Sequence, residues 1–183
     1  ENLELISFLK TNNESIIKSI FLIRSAYNQL SFHNWRHAVD VTQFVYSCII
    51  RGDMISYFSS IQLVALLFAC LCHDVYHEGV NTTYHVKSQS SLFWAFGEQS
   101  PLERFHATKA AELLEKTEFF NVIDCSEFWR FFVNSIVATD MVRHFEFLEN
   151  FNQIVDNYEI DNDLHRLSLA QFLIKCGNFA NAT

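Results

Sequence analysis

The chain has 183 residues, half of them hydrophobic, with 19 Phe but only 4 Gly and a single Pro. That length suits one domain with a substantial core, and few turn formers among many aromatics imply packed helices. With 13 basic and 21 acidic residues the formal charge is −8, which argues against a nucleic-acid binder working through a basic face. A small anionic ligand remains compatible with it, because a bound cation reverses the local field.

In chain order, the opening NLELISFLK is expected to be helical and to break at TNN. ESIIKSIFLIRSAYNQL (14–30) has its apolar residues at helical spacing, and a third helix starts near Asn34 and carries HAVDVTQFVYSCII. RGD at 51–53 reads as a turn between helices. The most apolar segment, IQLVALLFACLC (61–72), carries Gln62 and ends at His73. It reads as a helix buried all round, and no apolar run reaches the ~18–20 residues needed to span a bilayer. A polar stretch follows from Glu78 to about Ser90.

SPLERFHATKAAELLEK (100–116) has the pattern of a capped helix start: Ser100 as N-cap, Pro101 at the first helical position, and Glu103 completing a capping box. An aromatic helix over roughly 126–150 and a final one over roughly 163–176 complete the series. Strand signals are almost absent and nothing resembles a repeat or a linker. The expectation is a single all-α domain over 1–183.

The N-terminus shows no basic-then-apolar leader, and the five cysteines are odd in number without a close CxxC pair. Free buried thiols in a reducing compartment are expected. The corresponding location is the cytoplasm, or the cytosolic face of a membrane if an anchor lies elsewhere in a parent protein.

The eight histidines matter by position. His33 and His37 are four apart at a helix start, which puts two imidazoles on one face. His73, Asp74 and His77 lie where the buried helix runs out; His73 and His77 share a face and Asp74 points about 100° away. Glu103 and His106 are three apart, and Asp140 and His144 four apart. Each pair has an ordinary reading. An H-x-x-x-H pair recurs by chance, Glu103 is sufficiently explained as a cap, and Asp140 with His144 is explained as an i,i+4 pair. The His73–Asp74 dipeptide differs, because it terminates the most apolar helix, where an uncompensated charge is costly. A divalent cation is the simplest group to meet it; imidazole with carboxylate suits Zn, Mn or Fe, and a carboxylate can bridge to a harder Mg.

Together, HNWRHAVDV (33–41), HDVYHEG (73–79), LERFH (102–106), ATDMVRHF (138–145) and KCGNFAN (175–181) resemble, in order and separation, the catalytic domain of class I 3′,5′-cyclic nucleotide phosphodiesterases, a branch of the HD-domain metal phosphohydrolases. The resemblance runs from about residue 30 to the end. It implies an all-helical fold that hydrolyses cAMP or cGMP to the 5′-monophosphate using two divalent metals, Zn in a tight site and Mg or Mn in a second. By position it makes His37, His73, Asp74 and Asn178 metal ligands, with Asp74 bridging. It makes His33 the general acid for the leaving O3′. His77, Glu103, His106 and Thr139 would surround the second metal and the phosphate, with Asp140 in support and Glu103 holding His33 protonated. A homodimer is among the assemblies the resemblance allows.

Four departures stand against the family pattern. Asn178 occupies the position of an aspartate ligand; Tyr76 and Glu78 stand where Asp and Pro are usual; Asn81 and Thr82 replace a Ser-Asn or Asn-Asn pair. The family's domain is also nearly twice this length. A second metal-proximal Asp, the purine-reading Gln and the hydrophobic clamp on the base are absent from these 183 residues. The chain is therefore expected to be the N-terminal portion of such a domain and inactive alone. The competing expectation, motivated by Asn178, is an impaired relative that binds nucleotide or a protein partner without turnover.

Overall fold

The structure is a computed structural model that describes residues 12–123 and 125–180. The expected helix NLELISFLK and the final Asn181 of KCGNFAN lie outside the described residues. Among those described, the regular structure is helical throughout, with no strand.

Helix α1 (Asn13–Ser25) starts where the Asn12 side chain accepts the Ser15 N–H at 2.7 Å, and it stops at Ala26, short of residue 30. The next residues leave the helix because Tyr27 reaches away, its hydroxyl donating to the main-chain oxygen of Leu71 at 2.8 Å. Asn34 caps α2 (Trp35–Arg51) by accepting the His37 N–H. One face of α2, made of Ala38, Val41, Val45 and Ile49, is wholly buried at the three-to-four spacing of a helix stripe. The helix ends in the RGD turn. At Gly52 a Cβ would lie 2.7 Å from the Cys48 oxygen, and Asp53 turns into the left-handed region.

After a 3-10 turn at Ile55–Tyr57, α3 (Ser60–Cys72) begins with a reciprocal capping box between Ser59 and Gln62. Gln62 is fully buried there and also donates to Glu127 at 2.8 Å, so its polarity is satisfied rather than disruptive. The rest of α3 is the centre of the fold. It packs on α8 (Ser126–Val137) and on α2, while α10 (Asp163–Ala180) closes over both. Phe128, Phe131 and Phe132 of α8 are fully buried against it, and Phe68 stacks on Phe119 at 4.7 Å between centroids.

Further features of the helices differ from the sequence expectation. The polar stretch after Glu78 contains a short helix, α4 (Thr82–Lys87), capped by the Asn81 side chain, and is followed by α5 (Ser91–Phe96). The capping box on α6 (Pro101–Leu114) does not form. Ser100 has φ 51° and ψ 47°, whereas a capping serine needs an extended backbone, and its hydroxyl donates instead to Asp140 at 2.7 Å. After the one-turn α7 (Phe120–Ile123), the single helix expected over 126–150 is two, α8 and α9 (His144–Val155). Asp140 breaks it by accepting the Val142 N–H at 2.8 Å. The final helix, expected to end near residue 176, also runs on through KCGNFA to Ala180.

Candidate metal centre

The end of α3 brings the expected cluster together. His73 is the C-cap of the buried helix, and the chain then turns so tightly that the His77 N–H donates to the Asp74 main-chain oxygen. Tyr76 holds a left-handed φ of 59° in this turn, its N–H donating to Ala26. Such a conformation is costly for a residue with a Cβ and is kept only where the surroundings fix it. His37 arrives from the first turn of α2 and Asn178 from the last turn of α10.

Four donor atoms converge. The Nε2 atoms of His37 and His73 are 3.3 Å apart, and Asp74 Oδ2 lies 3.7 Å from the first and 3.4 Å from the second. Asn178 Oδ1 lies 2.8 Å from His37 Nε2. Bonds of about 2.0–2.1 Å to a tetrahedral ion imply donor–donor edges of roughly 3.3–3.4 Å, close to the three separations among His37, His73 and Asp74. The His73 Nδ1–H donates to the Cys70 oxygen at 2.9 Å, which fixes the tautomer and leaves its Nε2 lone pair facing the others. Burial, with His73 beside it, lowers the pKa of His37 and favours the neutral ring that a metal needs. Burial alone would raise the Asp74 carboxyl, but His73 and His33 outweigh it and hold it far below the usual carboxylate range. These groups fit a divalent ion.

His33 and His77 form a second group around the same Asp74. The His33 Nδ1–H donates to Asp74 Oδ2 at 2.8 Å, and the His33 ring lies flat on His77, 3.8 Å between centroids with an 11° tilt. His77 Nδ1 accepts the Gly79 N–H at 2.9 Å, so in the neutral ring its proton sits on Nε2. Burial pushes the His77 pKa down to about 3, so this ring is a neutral N–H donor near pH 7. His106 is the reverse case. Its Nδ1–H donates to the Val75 oxygen at 2.7 Å, and its buried Nε2 has no partner among the described residues. Burial holds its pKa at about 4, so a bare lone pair is left beside His77.

A cavity of about 210 Å³ opens onto this cluster, lined in part by His33, Asp74, His77, Glu103, His106 and Asn178. Thr139 and Asp140 also reach it; the Thr139 hydroxyl donates back to Ile136. Glu103 lines the cavity but no hydrogen bond joins it to His33 among the described residues, contrary to the sequence expectation. Its two oxygens lie 2.9 and 2.8 Å from the donating Thr82 hydroxyl, and His33 is held by Asp74 instead. Burial, then the neighbouring Asp140, raise the Glu103 pKa to about 7. Asp140 turns to Ser100 and Val142, and His144 opens α9 against Phe179, so the expected i,i+4 pair is not made.

Sequence reasoning missed Lys175. It is buried, and its ammonium donates to the main-chain oxygens of Ala138 and Asp140 at 2.9 and 2.8 Å, tying α10 to the loop that carries Thr139 and Asp140. The signal was present as the lone charge of LAQFLIKCGNF (169–179).

A model of the 3′5′-cyclic nucleotide phosphodiesterase family matches residues 32–183. Over 189 residues the chain is 33% identical to the 3′,5′-cyclic-nucleotide phosphodiesterase regA of Dictyostelium discoideum, covering 99% of this chain and 24% of that protein. It is 30% identical to the human high affinity cGMP-specific 3′,5′-cyclic phosphodiesterase 9A, covering 98% and 31%. Among solved structures, the phosphodiesterase domain of the RhoPDE fusion protein from Salpingoeca rosetta superposes with a TM-score of 0.87 at 27% identity, covering 98% of this chain and 59% of that one. The chain thus spans a third or less of these curated relatives and somewhat over half of the solved domain. From the match over 32–183, on a helical fold shared with a solved phosphodiesterase domain, the chain belongs to the 3′5′-cyclic nucleotide phosphodiesterase family.

Proposed function

We propose that this chain supplies the metal-binding part of an enzyme that hydrolyses 3′,5′-cyclic nucleotides to 5′-monophosphates. The observation that carries the reading is the spacing of His37, His73 and Asp74, whose donor atoms already stand at separations close to the edges of a tetrahedral ion. Family membership supports it, and the names of the relatives supply the substrate class, cyclic AMP or cyclic GMP.

In this reading His37, His73, Asp74 and Asn178 hold a first divalent ion, for which Zn suits the nitrogen-rich set. Asp74, shared by both histidine groups, would also face a second ion, Mg or Mn. Bound divalent ions would neutralise the phosphodiester charge and acidify a water. The protein's own groups do the rest. Asp74 holds the Nδ1–H of His33, so a proton passed from this ring to the departing O3′ would leave from Nε2. The Nε2–H of His77, its other nitrogen occupied by Gly79, donates toward the phosphate. His106 offers an acceptor for a water proton through its bare Nε2. Glu103, poised near pH 7 in the same cavity, would exchange a proton with that water network, while Thr139 and Asp140 shape the wall opposite.

The test is release of 5′-monophosphate from cAMP and cGMP by the intact parent protein with Mg²⁺, before and after chelation. Turnover that is lost on chelation and returns with added metal is expected. Failure to hydrolyse either nucleotide under metal-replete conditions would overturn the reading.

A further inference from the structure

The metal-ligand group is closed by two helices, α2 bearing His37 and α10 bearing Asn178, and Gly177 lies where they press together. A Cβ built on Gly177 would stand 3.1 Å from Val41 Cγ1, 3.2 Å from the Val41 main-chain oxygen and 3.3 Å from Val45 Cγ2. One of these neighbours is backbone of a fully buried helix face, so it cannot turn aside as a flexible side chain would. A glycine in a helix interior costs about 1 kcal/mol relative to alanine. Here it is buried one residue before Asn178, inside an 18-residue helix.

We infer that Gly177 is a positioning residue, whose missing side chain sets how deeply α10 seats on α2 and thereby brings the Asn178 amide oxygen to the metal-ligand group. The inference rests on the metal reading above. The next residue on α10 has a short reach, because an asparagine has only two side-chain torsions with which to recover a displaced backbone. A carboxamide also lacks the charge that would draw it back toward a cation over a longer distance. The observed 2.8 Å contact between Asn178 Oδ1 and His37 Nε2 therefore depends on a helix separation that no residue larger than glycine permits without movement. A shift of a few tenths of an ångström at position 177 is transmitted directly to the amide, since both lie on the same rigid turn.

The experiment is Zn²⁺ titration of the metal-stripped full chain by calorimetry, with thermal unfolding recorded alongside. Gly177→Ala is expected to weaken Zn²⁺ binding by ~10-fold or more. Gly177→Ala combined with Val41→Ala, which removes the 3.1 Å contact but leaves the backbone one, is expected to recover part of that loss. Phe119→Leu, a core truncation against Phe68 that lies on neither α2 nor α10, should lower the unfolding temperature while leaving Zn²⁺ affinity within about 2-fold. Equal affinity in Gly177→Ala and wild type, or equal weakening by Phe119→Leu, overturns the inference. If Gly177→Ala does not fold, the double variant carries the comparison, and wild-type affinity in it has the same force. A folded wild-type chain that binds no Zn²⁺ would instead refute the metal reading itself.

Discussion

Lys175 and Asp140 meet through the main chain rather than through their charges: the Lys175 ammonium donates to the Asp140 carbonyl oxygen at 2.8 Å and, alongside it, to that of Ala138. A buried cation is thereby spent on the backbone of the loop that carries Thr139 and Asp140. Lys175→Met keeps an unbranched apolar side chain but removes the ammonium over Phe147 and strands two carbonyls, so a loss of about 1–3 kcal/mol is expected in urea unfolding at pH 7.5. Burial lowers the Lys175 pKa to about 8, so the native state sheds this proton before the unfolded chain does. Between pH 8 and the ordinary lysine value the unfolded state binds more protons, and wild-type stability rises with pH relative to the variant. The gap between the two proteins should widen from pH 8 to 10; a constant gap would refute the assignment.

Glu103 gives the opposite slope. Its pKa is raised to about 7, mainly by burial, so the native state keeps a proton that the unfolded chain releases near its ordinary value of 4.5. Stability is lost as pH rises through that window, and the loss is complete above pH 7. Glu103→Gln keeps an oxygen for the Thr82 hydroxyl and removes the charge. With chelator present, the variant should gain on wild type by roughly 1–3 kcal/mol on going from pH 4.5 to 8, seen as diverging unfolding temperatures.

The neutral imidazoles make a spectroscopic prediction. Long-range ¹⁵N–¹H spectra at pH 6 should show His77 protonated on Nε2 and His106 protonated on Nδ1, because one accepts from Gly79 and the other donates to Val75. Burial keeps both pKa values well below 6, so neither signal should move between pH 5.5 and 8. The same tautomer at both residues would contradict the hydrogen-bond assignment.

Much of the centre is legible locally. His37 is three residues past the Asn34 cap, and His73 and Asp74 end the most apolar helix, so spacing and burial single them out as candidates. Ser100 shows where local pattern fails. S-x-x-E with Pro101 fits a capping box, yet the serine adopts a left-handed backbone to reach Asp140, forty positions along the chain. The break between α8 and α9 fails for the same reason, since apolar periodicity runs across 138–143 and the bonds from Lys175 and Asp140 that fix the turn are tertiary. Ser100 also offers a test. Ser100→Ala strands an Asp140 oxygen and should cost about 1–3 kcal/mol, whereas Ser100→Gly loses the same bond but relieves the positive φ, and should be less destabilising by up to ~1 kcal/mol.

In the proposed metal group, Asn178 decides the charge. With Asp74 the only carboxylate among the four donors, the set carries one negative charge, and the amide oxygen makes a neutral hydrogen bond with His37. Asn178→Asp would add a second carboxylate close to Asp74 in a buried setting. In the metal-free protein two like charges then share a small volume, relieved only if His37 takes up a proton, so the pKa of His37 should rise and the unfolding temperature should fall. With Zn²⁺ bound the order should reverse, because the added carboxylate meets a cation instead of a neighbour of its own sign. Zn²⁺ affinity is expected to increase by ~10–100-fold, about 1.4–2.7 kcal/mol. Calorimetry and unfolding with and without chelator would show the crossing of the two stability orders. A variant that is equally stable in both conditions would place residue 178 outside the metal's coordination.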